Sequence, residues 1–283
     1  DIVIAQEYAT PIGPIKTDTY PRKACGPDLD QIMMGSEGTF GVLTHVTLKI
    51  FRHTPETVKR FSYMFKDWET AQAAAKEIMQ SEAGYPSVFR LSDPEETNIM
   101  LHMYNVIDSP VRHLFKLKGF EEGKMCLFLA FTNGEKGFSK NLAKHTKRVC
   151  RKYGGLTYVT KSWEKGRFND PYMRDTMQDF GLVMDTMECS VNWSNMSKVH
   201  AEVRKFVKSR PHTICMTHMS HVYPQGANLY WIFITRMHDP AEFKAYHAGI
   251  LDAIQKSGAS MSHHHGIGKM FAPWLEGSIG HNE

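Results

Sequence analysis

The strongest constraint on the fold is a repeated order of predicted elements. Apolar residues alternate in the predicted strands and recur at helical spacing between them, so residues 58–160 read as strand, helix, strand, strand, helix, strand, with one extra helix at 94–105. Residues 182–265 repeat this order, with Ser194 expected to cap the first helix and ASMSHH (259–264) expected to close the unit as a strand. Because this is the ferredoxin-like order, we predict an α+β fold in which two such units share one antiparallel sheet. Its helices are expected on one face, which leaves the other face free to cover a site.

Composition excludes several classes of protein. The chain has 283 residues, a net charge of +4 and no basic stripe, so nucleic-acid binding is not expected. Its five cysteines contain no CxxC pair, which is typical of free thiols and not of a disulfide framework or a zinc ribbon. No apolar run approaches the roughly 20 residues that span a bilayer.

Three consecutive histidines occur in the segment SHHHG. Histidine titrates near neutral pH and can take up and return protons. Strand alternation would send His263 and His265 to one face and His264 to the other, unless the turn at Gly266 has already begun. At most two of the three rings are therefore expected at one substrate atom. His218 and His221, from MTHMSHVY, are equally compatible with a site and with a surface.

A second informative stretch is IMMGSEGTFGVLT (32–44), with glycines at 35, 38 and 41. Such a turn can direct backbone N–H groups toward an anion. The G-x-x-G-x-x-G spacing is neither the Rossmann fingerprint nor a Walker loop. Taken alone, the stretch is as compatible with a plain hairpin as with a binding loop.

Together, GPDLDQIMMGSEGTFGVLTHVTLKI and SMSHHHGIGK resemble the FAD-linked oxidase, or vanillyl-alcohol oxidase, superfamily, and within it the alkyldihydroxyacetonephosphate synthases. The resemblance implies FAD as cofactor. It implies that residues 1–55 end a PCMH-type FAD-binding domain, that 56–265 form the cap (substrate) domain and that 266–283 begin a return segment to the FAD domain. Both ends of the chain look like cuts through a longer protein.

The resemblance also implies roles for individual residues. The cofactor segment falls on Glu37, Gly38, Thr39, Phe40, Gly41, Val42 and Leu43; the substrate-binding arginines on Arg174 and Arg90; and the catalytic residues on Tyr230, His263, His264 and His265. Arginine suits a phosphate because it can bind two oxygens at once, and a tyrosine hydroxyl in a cleft can pass a proton. Arg174, Tyr230 and at least two of the histidines are expected to converge on one pocket. No metal is expected.

The family reaction implied is exchange of the acyl chain of acyl-dihydroxyacetone phosphate for a fatty alcohol, in ether-lipid synthesis. One alternative is an FAD-linked 2-hydroxy-acid oxidoreductase of the D-lactate or glycolate type, whose metal-binding pattern is replaced here by Tyr230 and His264 at two of three positions. Another is a non-catalytic cap fragment. The expected partners are a small lipid or phosphorylated substrate, a second copy in a homodimer, and a membrane surface bound peripherally. The expected location is cytoplasmic for a bacterial source and peroxisomal for a eukaryotic one.

Overall fold

The computed structural model describes residues 2–106, 110–158 and 172–280. The chain divides into two compact units, Asp1–His53 and Thr54–Glu283. The smaller unit contains β1 (Val3–Thr10), β2 (Gly13–Lys16), α1 (Leu29–Met33) and β3 (Val42–Leu48). Its strands form an antiparallel sheet in the order β2-β1-β3.

Glycine is required where the smaller unit enters β3. Gly41 has a φ of 155°, and a Cβ at this position would lie 2.7 Å from the carbonyl oxygen of Ala9 in β1. Gly35 and Gly38 adopt positive φ angles of 77° and 82° in the preceding turn, which side chains rarely tolerate. The glycine spacing of this segment therefore has a local structural cause, whatever the segment binds.

In the described residues of the larger unit, a short 3₁₀ turn (Pro55–Thr57) is followed by fifteen elements. They are β4 (Lys59–Phe65), α2 (Trp68–Gln80), β5 (Val88–Ser92), α3 (Pro94–Met103), α4 (Val111–Leu117), β6 (Cys126–Thr132), α5 (Lys136–Lys152), β7 (Leu156–Thr157), α6 (Met173–Gln178), β8 (Leu182–Asn192), α7 (Met196–Lys208), β9 (Ile214–Met219), β10 (Gly226–Arg236), α8 (Pro240–Ser257) and α9 (Gly268–Ile279).

Seven strands of this unit form one sheet in the order β7-β4-β6-β5-β9-β10-β8. Each pairing within it is antiparallel, so the predicted α+β fold with one large antiparallel sheet is confirmed. The two halves meet at β5 and β9 through only two residue pairs, Leu91 with Met219 and Ser92 with His218. Residues 159 and 160, at the end of the first predicted repeat, lie outside the described residues.

Strand alternation gives the two faces of the sheet different roles. One face carries the main core, in which strand residues such as Phe128 and Trp231 pack with residues of α2, α5, α7 and α8. On the other face a smaller core joins Leu127 and Leu129 to Leu101, at the end of α3, and to Phe115 of α4. The expectation of helices on one face only is therefore wrong for the first half. β6 is apolar at almost every position, and a strand that is apolar on both sides must be covered on both sides.

Two further expectations need correction. The segment 259–264 is not a strand, although Ser260 N–H still donates to the carbonyl of Ser190 in β8 at 3.0 Å. The reason is local, because the N–H groups that follow turn toward one side chain, Glu188. Ser194 does not cap α7, which begins after Asn195 without a side-chain capping bond.

None of the helices in the described part of the chain combines the length and the apolar character needed to cross a membrane.

Candidate active site

A row of polar side chains crosses the face of the sheet opposite the main core. Antiparallel register pairs Ser92 with His218, His218 with Tyr230 and Tyr230 with Glu188, across β5, β9, β10 and β8. Register partners project to the same face, so the four side chains share the face opposite the main core. Polar residues in the middle of otherwise apolar strands require partners or a function.

Glu188 lies at the end of this row and is only 2% exposed. Its carboxylate accepts hydrogen bonds from the backbone N–H groups of His263, His264 and His265, at 2.7–3.0 Å, and from the hydroxyl of Ser262 at 2.6 Å. Burial alone would raise the pKa of this carboxyl, but the bonds from Ser262 and the three N–H groups outweigh it and lower that pKa. Glu188 is therefore ionised at neutral pH.

The three consecutive histidines gather on one side of this carboxylate. The ring of His263 lies 5.2 Å from that of His264, and His264 lies 4.5 Å from His265, measured between centroids. His221 joins them at 5.0 Å from His263 and 4.8 Å from His264. The segment does not alternate as a strand would, because the turn at Gly266 has already begun, and His221 lies with the three histidines. That at most two of the rings meet one substrate atom stays a prediction.

Tyr230 lies at the centre of the ring cluster. Its ring stacks on His218 at 5.0 Å with an interplanar angle of 16°, and meets His265 edge-on at 5.1 Å. His264 lies 6.1 Å away. The structure thus brings Tyr230 together with His264 and His265, two of the three histidines with which the sequence grouped it. Because His264 and His265 are exposed and Tyr230 is half-buried, a ligand on this face can reach all three.

Arg90 lies beside the same row of polar side chains, next to His218. Its guanidinium forms an ion pair with Glu96 at 2.7 Å, and Glu96 is 3.0 Å from Nδ1 of His218. Burial would raise the pKa of the Glu96 carboxyl, but Arg90 and His218 hold it well below its usual range. Burial, and then Arg90, lower the pKa of His218, so this imidazole is biased toward the neutral form. A substrate-binding role for Arg90 stays a prediction.

Arg174 does not join the cluster. Its side chain is 58% exposed and lies 3.8 Å from Asp185 of β8. Asp185 pairs in register with Phe233, a main-core residue, and therefore projects to the face opposite Tyr230. The expected convergence of Arg174 with Tyr230 is wrong, because the guanidinium follows the nearest carboxylate on the helix-covered side.

The segment predicted to bind the cofactor lies in the smaller unit. Glu37, Gly38, Thr39, Phe40, Val42 and Leu43 are exposed, and Gly41 is half-buried. Within the turn, Thr39 N–H donates to the carbonyl of Ser36 at 2.9 Å. An exposed turn with two positive-φ glycines leaves backbone open to a ligand, which fits one wall of a cofactor site.

Sequence reasoning missed Glu188, Glu96 and Tyr223. The Tyr223 hydroxyl lies 2.7 Å from Nε2 of His263. Glu188 had a signal that could have been used: it is the only acidic residue in the stretch TMECSV of a buried strand, and such a carboxylate needs donors around it. Those donors come from a segment about 75 residues away, which strand alternation cannot identify.

The histidine group also has the composition of a metal site. One nitrogen each from His221, His263 and His264 lie within 4.8 Å of one another. Partial burial and the two neighbouring imidazoles lower the pKa of His221, and burial lowers that of His263. Neutral imidazoles are the form that binds transition metals, so these three residues could hold a divalent cation.

A known protein family matches most of the chain. The family described as FAD linked oxidases, C-terminal domain, matches residues 54–283. The chain belongs to this FAD-linked oxidase family. The matched range begins at the boundary between the two compact units and contains the whole ring cluster. The candidate site is therefore a feature of the C-terminal domain of an FAD-linked oxidase.

Individual relatives agree with this assignment. The chain is 27% identical to alkyldihydroxyacetonephosphate synthase of Dictyostelium discoideum, over 97% of this chain and 48% of that protein. It is 28% identical to the uncharacterized FAD-linked oxidoreductase YgcU of Escherichia coli (strain K12), over 97% of this chain and 57% of that protein. This FAD-linked oxidase chain spans about half the length of the curated relatives it matches.

Solved structures share the fold. A structure of alkyldihydroxyacetonephosphate synthase matches with a TM-score of 0.76 at 24% identity, over 99% of this chain and 53% of that one. The structure of p-cresol methylhydroxylase with substrate bound matches with a TM-score of 0.58 at 16% identity, over 91% of this chain and 56% of that one. At these identities the matches concern the fold alone.

Proposed function

We propose that the full-length protein containing this chain is an FAD-dependent enzyme resembling alkyldihydroxyacetonephosphate synthase. It would exchange the acyl chain of acyl-dihydroxyacetone phosphate for a fatty alcohol. The observation that carries the proposal is the gathering of Tyr230, His263, His264 and His265 on one face of the sheet, anchored by a buried carboxylate. Two relatives that carry the synthase name, and that align with nearly the whole of this chain, support it.

The domain roles are part of the same proposal. Residues 1–55 would be the end of the FAD-binding domain, with Glu37 to Leu43 contacting the cofactor. Residues 56–265 would be the cap, built from two ferredoxin-like halves whose second half uses the Glu188-bound segment in place of a fourth strand. Residues 266–283 would begin the return segment to the FAD-binding domain. When bound, the flavin would supply the redox-active ring at which the reacting carbon is activated.

The residues present can carry out the proton transfer that this exchange requires. As the alcohol oxygen bonds to the substrate carbon, the alcohol loses its proton, and the acyl group departs as a carboxylate that keeps the electron pair of the broken C–O bond. Tyr230 with His264 and His265 can accept the alcohol proton and return it to bulk water. The exposed cluster leaves room for a ligand on this face. No net oxidation occurs in this exchange.

The test uses the purified full-length protein. Visible flavin absorbance should accompany the protein through gel filtration. Incubation with palmitoyl-dihydroxyacetone phosphate and hexadecanol should release palmitate and form the ether product in equal amounts, measured by mass spectrometry. Flavin-loaded protein that forms no ether product would refute the proposed reaction.

A second candidate function is favoured by one observation, the three-imidazole group of His221, His263 and His264. In a 2-hydroxy-acid oxidoreductase, a divalent metal held there would orient the hydroxy acid. The two candidates differ in their response to a chelator. Ether formation should be unchanged after dialysis against EDTA, whereas D-lactate oxidation with a dye acceptor, lost on dialysis and restored by zinc or manganese, would establish the second function.

A further inference from the structure

We propose that Glu188 is the positioning residue of the site: its carboxylate folds residues 262–265 around itself and so places the histidine rings against Tyr230 and His221. The side chain is almost fully buried and lies under the segment, so it does not meet a substrate itself. The inference deepens the proposed function, on which its catalytic part rests. Its structural part stands on the hydrogen bonds alone.

The hydrogen bonds converge on a single group. Oε1 of Glu188 accepts from the N–H of His263 at 2.9 Å and from those of His264 and His265 at 3.0 Å each. Oε2 also accepts from His263 N–H, at 2.7 Å. The Ser262 hydroxyl donates to Oε1 at 2.6 Å. From the segment 262–265, one carboxylate thus accepts hydrogen bonds from three consecutive backbone N–H groups and from the Ser262 hydroxyl.

Such a pattern is incompatible with an extended strand. Successive N–H groups of a strand point in opposite directions, so they cannot all reach one acceptor. The segment must therefore curl around the carboxylate, and the His264 ring stays close enough for its Nδ1 to lie 3.7 Å from Oε2. The curl continues through Gly266, whose φ is 77° and whose N–H donates to the Ser262 hydroxyl at 3.1 Å. This geometry places the rings of His264 and His265 beside Tyr230 and the ring of His263 beside His221.

The pairing of β8 with β10 holds the Glu188 carboxylate in place. Glu188 is the register partner of Tyr230, so the anchor of the histidines and the phenol project from adjacent strands on one face. Asn228, also on β10, donates from Nδ2 to Oε2 at 2.9 Å. The positions of the histidine rings relative to Tyr230 are therefore set by the β8–β10 pairing and by the Glu188 side chain.

Both the charge and the two oxygens of glutamate are needed here. The carboxylate has two acceptor atoms and no donor, which suits the five donor groups around it. A glutamine would turn an NH₂ group toward at least one of those donors. A leucine would leave all of them without this acceptor, and buried N–H groups without an acceptor are costly.

The experiment uses full-length protein with Glu188→Gln and Glu188→Leu, and measures hydrogen exchange of the peptide covering 262–266 by mass spectrometry. The matched control is Glu95→Gln. Glu95 also accepts from three groups, Arg204, Lys208 and the Cys215 N–H, but contacts none of the histidines. In the Glu188 variants, exchange of 262–266 should be roughly 10- to 100-fold faster, since bonds to a charged acceptor are lost. The control should exchange like the wild type there.

Turnover is the second readout, measured with whichever of the two proposed reactions the wild type performs. Failure of the proposed function would show in the wild type, whereas failure of this inference shows only in the variants. Misplaced rings should lower kcat roughly 10²-fold, with KM within a few-fold of wild type and the flavin retained. If the Glu188 variants exchange hydrogen at 262–266 at the wild-type rate, or exchange faster but keep the wild-type kcat, the inference is overturned. If Glu188→Leu does not fold, Glu188→Gln decides.

Discussion

Replacing Tyr230 with phenylalanine removes one hydroxyl at the centre of the ring cluster. The phenyl ring can keep its stack on His218, at 5.0 Å, and its edge contact with His265, at 5.1 Å. The side chain is half-buried, and its volume hardly changes. The free energy of unfolding should therefore change by about 1 kcal/mol or less, which is the scale of one hydrogen bond.

Turnover should respond far more strongly than stability. If the hydroxyl transfers a proton in the chemical step, kcat should fall roughly 10²- to 10⁴-fold. This corresponds to about 3–6 kcal/mol of barrier, at about 1.4 kcal/mol for each factor of ten. The assay is steady-state product formation by the full-length protein, with flavin content and urea unfolding measured on the same preparation. A Tyr230→Phe enzyme with full flavin and near-normal kcat would refute proton transfer by Tyr230.

Three further predictions concern stability. Asp93→Ala should lower the free energy of unfolding by about 2–4 kcal/mol, because it removes the acceptor of buried His200, one of the two carboxylates paired with half-buried Arg204, and the cap that accepts from the Glu96 N–H. Chemical denaturation measures this, and a loss below 1 kcal/mol would contradict it. The free energy of unfolding should fall as the pH drops below about 6.5, because burial lowers the pKa of His200 and of His218 in the folded protein. Below that pH the unfolded chain binds protons that the folded chain does not. A urea midpoint that stays constant between pH 7 and 5 would contradict this. Gly41→Ala should destabilise the smaller unit, because its Cβ would lie 2.7 Å from a β1 carbonyl oxygen; unchanged protease resistance of that unit would be the contrary result.

Much of the fold could be predicted from the sequence because its signals are local. Alternation marks the strands, and capping residues mark the helices: Asp67 accepts from the Thr70 N–H at 2.7 Å where α2 begins. β6 shows where local reasoning was incomplete. Its continuous apolar run indicates a buried strand but not which elements cover its second face, and α3 and α4 do so. That choice depends on packing between distant segments.

The site was harder to predict for a related reason. The histidines were recognisable from their adjacency, but their arrangement depends on Glu188, whose hydrogen bonds bridge about 75 residues. Strand periodicity assumes that N–H groups pair with a neighbouring strand, and here they pair with a side chain. Arg174 was misplaced because a motif match gives no information about which carboxylate, in this case Asp185, a surface arginine will contact.

The proposed function is a transfer reaction on the sheet face that carries Tyr230 and the histidines. The most direct measurement supplies full-length protein with heavy-oxygen-labelled hexadecanol and unlabelled palmitoyl-dihydroxyacetone phosphate, and follows the label by mass spectrometry. The account predicts that the labelled oxygen appears in the ether product and not in the released palmitate, with no consumption of an electron acceptor. Label found in palmitate, or turnover that requires an electron acceptor, would contradict it.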